Sequence, residues 1–280
     1  MWPHRYGQKA NISKTQYLVA TFAIAVMIMP AVGGATSVIM THVNLPTMTP
    51  AVVKYVPAAT CSGTTTTTSS NWGGYAVQSC LTSPSSKVVT KVVGTWVEPT
   101  AKCTKTAYAA FWVGIDGYSS SSVEQLGTDS DCNGATPSYY AWYEMYPANP
   151  VTLSMSIKPG NTITASVTYN SAGKFVLALK DVTTGKSFSV TKSLSSAARS
   201  SAEWIVEAPS SSSGVLPLAD FGTVTFTSCS ATISGVTGPI QTSTSKWQAA
   251  EMNIVGSATE ETTSSLTSGG NGFSGTWVSS

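Results

Sequence analysis

Histidine is almost missing from this chain. Its two copies, His4 and His42, both precede the region patterned like a folded domain. A Ser-His-Asp triad, a Cys-His pair and a histidine-ligated zinc site all need an imidazole, so none of them is open to that domain. Charge is scarce as well. Lys, Arg, Asp and Glu make up 10% of residues, which is unlike a helical cytosolic protein and suits a strand-rich exported one. The formal charge of +2 arises at the N-terminus, where Arg5, Lys9, Lys14 and Lys54 precede the first acidic residue, Glu98. No basic patch follows, so nucleic acid is not an expected partner. A Gly-rich phosphate loop, a dinucleotide fingerprint and a Cys-x-x-Cys pair are also lacking, so neither a cofactor nor a metal is expected.

What is present begins with an export pattern. After Arg5, Lys9 and Lys14, the stretch from Tyr17 to Met29 carries no charge, and Pro30 and the small residues from Ala31 to Ala35 follow it. This order predicts a signal peptide over residues 1–35. The alternative is an uncleaved anchor, because weakly apolar residues continue to Met40. Either reading puts the domain outside the cytosol: the protein is expected to be secreted, and to meet a membrane only if the segment is retained. Five cysteines are compatible with disulfides there. Their order suggests Cys61 with Cys80 and Cys103 with Cys132, leaving Cys229 single, although spacing does not fix connectivity. Residues 36–65, rich in Pro, Thr and Val, read as a linker or short propeptide, and the domain as 66–280.

Within that domain, short alternating runs are separated by turn residues. Ile163, Ala165 and Val167 alternate with Thr164, Ser166 and Thr168, and Phe175, Leu177 and Leu179 recur the same way. The breaks KPGN (158–161), NSAG (170–173) and TTGK (183–186) are turn chemistry joining successive strands. Only residues 194–201 hint at a helix. Roughly a dozen strands are too many for one flat sheet, so the fold class is all-β, two packed antiparallel sheets.

Strand parity sorts the remaining chemistry. In AEWIVE (202–207), Glu203, Ile205 and Glu207 share a face; two carboxylates there would be costly in a core, so that face is expected to line a cleft. Trp142, Glu144 and Tyr146 share a face in AWYEMYP, as do Trp112 and Asp116 in FWVGIDG, and Val123, Gln125, Gly127 and Asp129 in VEQLGTD. Singly, such residues are ordinary core aromatics or solvated carboxylates. Together they offer a carboxylate-bearing aromatic cleft. Such a cleft suits a peptidase, a glycoside hydrolase using Glu144 and Glu207, or a non-catalytic carbohydrate- or peptide-binding module using the tryptophans alone.

The segments SNWGGY (70–75), FWVGIDG (111–117), EQLGTD (124–129), AWYEMYP (141–147), AEWIVE (202–207) and ADFGTVTFTSC (219–229) together resemble the glutamic peptidase family, the eqolisins, in family order. The resemblance implies an acid-acting endopeptidase on a sandwich of two seven-stranded sheets. It implies Gln125 and Glu207 as the catalytic pair and Trp72, Trp112, Asp116, Trp142 and Glu144 as cleft residues that bind substrate. Polypeptides are the implied substrates, and a monomer is expected. In this reading Glu207 exchanges a proton with the attacking water, and the Gln125 amide, which does not titrate, donates to the oxyanion at low pH.

Overall fold

Alternation of buried apolar and outward polar residues, as over 162–169 and 175–181, makes strands because it matches the two-residue period of extended backbone. The structure is a computed structural model that describes residues 46–54 and 61–280. The proposed signal or anchor segment, 1–35, lies outside the described residues. Eighteen strands follow in order: β1 (Gly63–Ser69), β2 (Trp72–Gln78), β3 (Val89–Val97), β4 (Ala110–Ile115), β5 (Val123–Asn133), β6 (Thr136–Tyr146), β7 (Val151–Ser156), β8 (Thr162–Tyr169), β9 (Phe175–Asp181), β10 (Ser187–Lys192), β11 (Ser201–Glu207), β12 (Ser210–Ser211), β13 (Gly214–Val215), β14 (Thr223–Ile233), β15 (Val236–Gly238), β16 (Gln248–Val255), β17 (Thr259–Thr263) and β18 (Phe273–Trp277). No helix occurs among the described residues; the stretch 194–201 is turn and coil running into β11.

The all-β class holds, but the sheets are not separate. One ladder runs β10-β9-β8-β3-β14-β18-β17-β16-β2-β11-β4-β5-β6-β7, with β1 added beside β16 and β15 beside β14, sixteen strands in all. Its continuity comes from β16, which pairs with β2 along most of its length and with β17 through a bulge at Ile254 and Val255. The ladder folds back there, so that β3, β8 and β9 pack across β4 and β5.

The core between the layers takes one face of each strand. Ile163, Ala165, Val167, Phe175, Leu177 and Leu179 meet Phe111, Val113, Leu126, Trp204 and Val206 there. Gly94 permits the closest approach: a Cβ at that position would lie 2.8 Å from both Trp204 and Val113, and Trp204 donates its indole N–H to the Val93 carbonyl across the layers at 2.7 Å. The turns NSAG and TTGK close the hairpins β8–β9 and β9–β10. KPGN instead carries the chain from β7, paired with β6, to β8, paired with β3 and β9. A turn signal alone does not say whether the next strand pairs with the last. Both disulfides suggested by cysteine order are present, Cys61–Cys80 and Cys103–Cys132, and Cys229 is a buried free thiol.

Candidate active site

Because side chains alternate, the face of the second layer turned away from the core carries its own set of residues. Strands β2, β11, β4, β5 and β6 lie side by side in register, and three rungs cross them on that face. The first rung reads Trp72, Glu207, Ala110, Asp129, Tyr140. The second reads Gly74, Ile205, Trp112, Gly127, Trp142, and the third Ala76, Glu203, Gly114, Gln125, Glu144. Trp72, Trp112, Trp142, Val123 and Ile205 form a second apolar cluster on this face. The parity that sends Trp204 and Val206 into the core therefore sends Glu203, Ile205 and Glu207 to the opposite side.

Trp112 links the rungs. Gly114, two residues on, has no side chain, and a Cβ there would stand 2.8 Å from the Trp112 ring. The indole folds over that gap, meets Trp72 edge-on at 4.8 Å between centroids, and donates its N–H to Glu207 Oε2 at 2.9 Å. Gln125 donates from Nε2 to Glu144 Oε2 at 2.9 Å. Gln125 Oε1 and Glu144 Oε1 have no hydrogen-bond partner among the described residues although both are buried. Trp142 is held by Asp129, whose Oδ1 accepts its indole N–H at 2.5 Å, and Tyr140 donates to both Asp129 and Asp131.

Burial dominates the electrostatics. It raises Glu207 well above the ordinary carboxylate range; the Thr49 backbone N–H and the Trp112 indole draw it down, and nearby Glu144 pushes it up. Burial also lifts Glu144 to about 8, against hydrogen bonds from Gln125 and the Met48 backbone that lower it. At acid pH Glu144 is thus neutral and places no negative charge beside Glu207.

Of the residues picked out from sequence, Gln125, Glu207, Trp72, Trp112, Trp142 and Glu144 come together on this face. Asp116 does not share their network. It follows the end of β4 with φ of 74°, which breaks the strand parity, and its carboxylate accepts the backbone N–H groups of Arg199 and Ser200 at 2.6 and 2.9 Å and the Ser200 hydroxyl at 3.1 Å. Its position is that of a loop clasp.

The sequence reading missed the segment that covers this face. Residues 46–54, within the stretch read as a linker or propeptide, pack over it. Met48 is 1% exposed and belongs to the tryptophan cluster, and Gln125, Glu144 and Glu207 are fully buried beneath. Thr49 donates its backbone N–H to Glu207 Oε1 at 2.9 Å, and the Met48 carbonyl accepts from Gln125 Nε2 at 3.4 Å. Trp72 Nε1 donates to the Thr49 carbonyl at 2.9 Å, while Asn71 Nδ2 donates to the carbonyls of Thr49 and Pro50. A run of Pro and Thr without period gave no sign of this; the flanking prolines, which favour extended backbone, were the one available cue. Among the described residues no cluster of His, Cys, Asp and Glu is disposed to hold a metal ion.

Over residues 70–277 the sequence matches the Peptidase A4 family. It is similar to aspergillopepsin-2 of Aspergillus niger, with 37% identity over 137 residues, covering 47% of this chain and 49% of that one. It is also similar to scytalidopepsin B of Scytalidium lignicola, with 34% identity over 182 residues, covering 60% of this chain and 66% of that protein. The matched stretches therefore span about half to two thirds of these curated relatives. Among solved structures, scytalido-glutamic peptidase bound to a transition-state analog inhibitor superposes with a TM-score of 0.62 at 29% identity, covering 75% of this chain and 98% of that one. Aspergilloglutamic peptidase from Aspergillus niger gives 0.54 at 32% identity, covering 61% and 99%.

Proposed function

Since the chain belongs to the Peptidase A4 family, the glutamic peptidases, we propose that it is an acid-acting endopeptidase in which Glu207 and Gln125 hydrolyse the peptide bonds of polypeptide substrates. The observation that carries this reading is polarity. On one aromatic-walled face, an amide donor and a carboxylate acceptor both reach the backbone of the segment lying across them.

In this mechanism Glu207 acts in its ionised form, which the Trp112 indole N–H favours against burial; it takes a proton from water as the water oxygen attacks the substrate carbonyl carbon, and then passes that proton to the leaving nitrogen. Gln125 donates from Nε2 to the oxyanion, and its free Oε1 is an acceptor for the attacking water. Glu144 takes the other Nε2 hydrogen and fixes the amide orientation, which makes it a positioning residue. Trp112 orients Glu207 through its indole N–H, and Trp72 and Trp142 form the walls. A glycoside hydrolase built on Glu144 and Glu207 leaves Gln125 without a task, and a binding module leaves Glu207 without one. Disulfides in the domain agree with secretion into an oxidising compartment, and we take the working unit to be a monomer. Casein digestion at acid pH beside a polysaccharide assay tests the reading: casein alone should be degraded, and polysaccharide cleavage without proteolysis would overturn it.

A further inference from the structure

The fold separates charges that the composition reports as nearly balanced. Eleven of the 15 basic residues and all 13 acidic ones lie beyond residue 60. None of those acidic residues is exposed: Asp220, Glu251 and Glu260 are half-buried, and the rest are buried. Each of the three half-buried carboxylates has a local partner. Asp220 pairs with Lys102 at 3.9 Å, the only ion pair among the described residues; Glu251 accepts from the Tyr75 hydroxyl at 2.6 Å; and Glu260 lies near Lys105. By contrast Lys87, Lys91, Lys158, Lys174, Lys180 and Lys186 are exposed, form no ion pair, and lie on or next to β3, β8, β9 and β10. A formal count of charge along the sequence hides this basic surface, because it includes carboxyls that folding takes out of solvent.

Strand parity brings two of these lysines to one groove. On the face of this layer turned away from the core, Lys91, Val93 and Thr95 of β3 lie beside Thr168, Ser166 and Thr164 of β8. Val176, Ala178 and Lys180 of β9 come next, and then Thr191, Ser189 and Ser187 of β10. A cavity of about 450 Å³ opens there. Lys91 and Lys180 stand at opposite corners, Thr164, Ser166, Ser187 and Ser189 line it between them, and Val93 and Ala178 form the floor. Four residues along the strand and two strands across set the two lysine Cα atoms roughly 16 Å apart. No carboxylate lines the groove.

We propose that this groove binds an anionic polysaccharide, whose acidic groups pair with Lys91 and Lys180 and whose hydroxyls meet the Ser and Thr side chains between them. Two positive ends that far apart fit an elongated chain with recurring negative charge better than a single small anion. A neutral sugar is commonly seated on an aromatic ring, and a nucleic acid base stacks on one. The outward side chains here supply no ring: Phe188, at the groove margin, points the other way and stacks on Tyr143 at 5.8 Å. The buried carboxyls do not oppose the lysine field in acid, since burial raises Glu98 to about 8 and Glu124 to about 9. The groove and the aromatic face both turn away from the shared core, on opposite sides of the domain. A chain held on such a polymer therefore keeps the Gln125 and Glu207 face clear of it, and the proposal stands independently of the peptidase reading.

The test measures binding of the full chain to immobilised polygalacturonate and chondroitin sulfate at mildly acid pH and low salt. Neutral dextran, duplex DNA and phosphatidylserine vesicles are measured beside them. The carboxylated polymer, the sulfated one or both should be bound and dextran should not, with affinity falling as salt rises. Lys91→Gln combined with Lys180→Gln should weaken binding by about tenfold or more, the scale of two lysine contacts with an anionic surface. Its circular dichroism and casein digestion should match wild type. Lys105→Gln combined with Lys246→Gln removes the same charge elsewhere and should leave binding near wild type. Absence of binding to both anionic polysaccharides, equal losses in the two paired variants, or tighter binding to DNA or vesicles than to polysaccharide overturns the proposal.

Discussion

At the scale of single residues, the account turns on which hydrogen bonds strengthen as the oxyanion forms. Replacing Gln125 with Ala removes a donor aimed at developing charge, and kcat should fall by about a hundredfold or more, with KM changing less. Steady-state kinetics on a peptide checks this, and a near-wild-type kcat in the folded variant would make Gln125 structural. Trp112→Phe keeps the ring and deletes the N–H on Glu207. That donor lowers the Glu207 pKa, so its loss raises the pKa, and the acidic limb of the kcat/KM profile should move to higher pH. The face that both residues share was legible in the sequence because strand parity holds along β4, β5 and β11. Asp116 departs from the face of Trp112 because its positive φ ends that parity. Asp116→Ala should therefore behave as a loss of structure: three hydrogen bonds to the 199–200 turn disappear, costing on the order of 2–3 kcal/mol. Urea unfolding should register that cost, while KM stays near wild type.

At the scale of elements, the site is a property of register. Glu207 and Gln125 are far apart in sequence, yet β11, β4 and β5 set them two rungs and two strands apart, with Trp112 on the rung between. A one-residue slip of β11 would turn Glu207 into the core and Trp204 into the cleft. Such alternation is written locally, and the alternating runs in β8 and β9 announce their buried faces in the same way. Pairing is not written locally. Nothing in Gln248–Val255 says that β16 joins the two layers into one ladder, and nothing in KPGN says that β7 and β8 part company. Long-range partners depend on how layers close on one another, which a window of ten residues does not contain. The cover of residues 46–54 was hidden for the same reason. It is held mainly through its own backbone atoms, with Met48, Ala51 and Val53 packed on the tryptophan cluster, and backbone contacts leave little mark on residue type.

At the scale of the whole molecule, the buried carboxyls make stability depend on pH. Burial foremost raises Glu98 to about 8, Glu124 to about 9, Glu261 to about 8 and Asp131 to about 7, alongside Glu144 at about 8. The folded chain keeps protons that the unfolded chain releases above the ordinary carboxylate values of 4.5 for Glu and 3.8 for Asp. Stability from these groups is complete below that range and is lost as pH rises toward 7–9, by about 1.4 kcal/mol per pH unit for each group that retains its proton only when folded. Calorimetry should find the melting temperature falling from acid to neutral pH; a rise over that interval would contradict the assignment of buried neutral carboxyls. Such a protein is suited to an acidic setting, and the proposed hydrolysis there depends on Glu207 being the group that moves the proton. The most direct measurement is peptide hydrolysis by Glu207→Gln, with near-ultraviolet circular dichroism to establish that the variant is folded. The account predicts a native spectrum and loss of essentially all turnover; a folded variant that still cleaves peptide at a substantial fraction of the wild-type rate would contradict it.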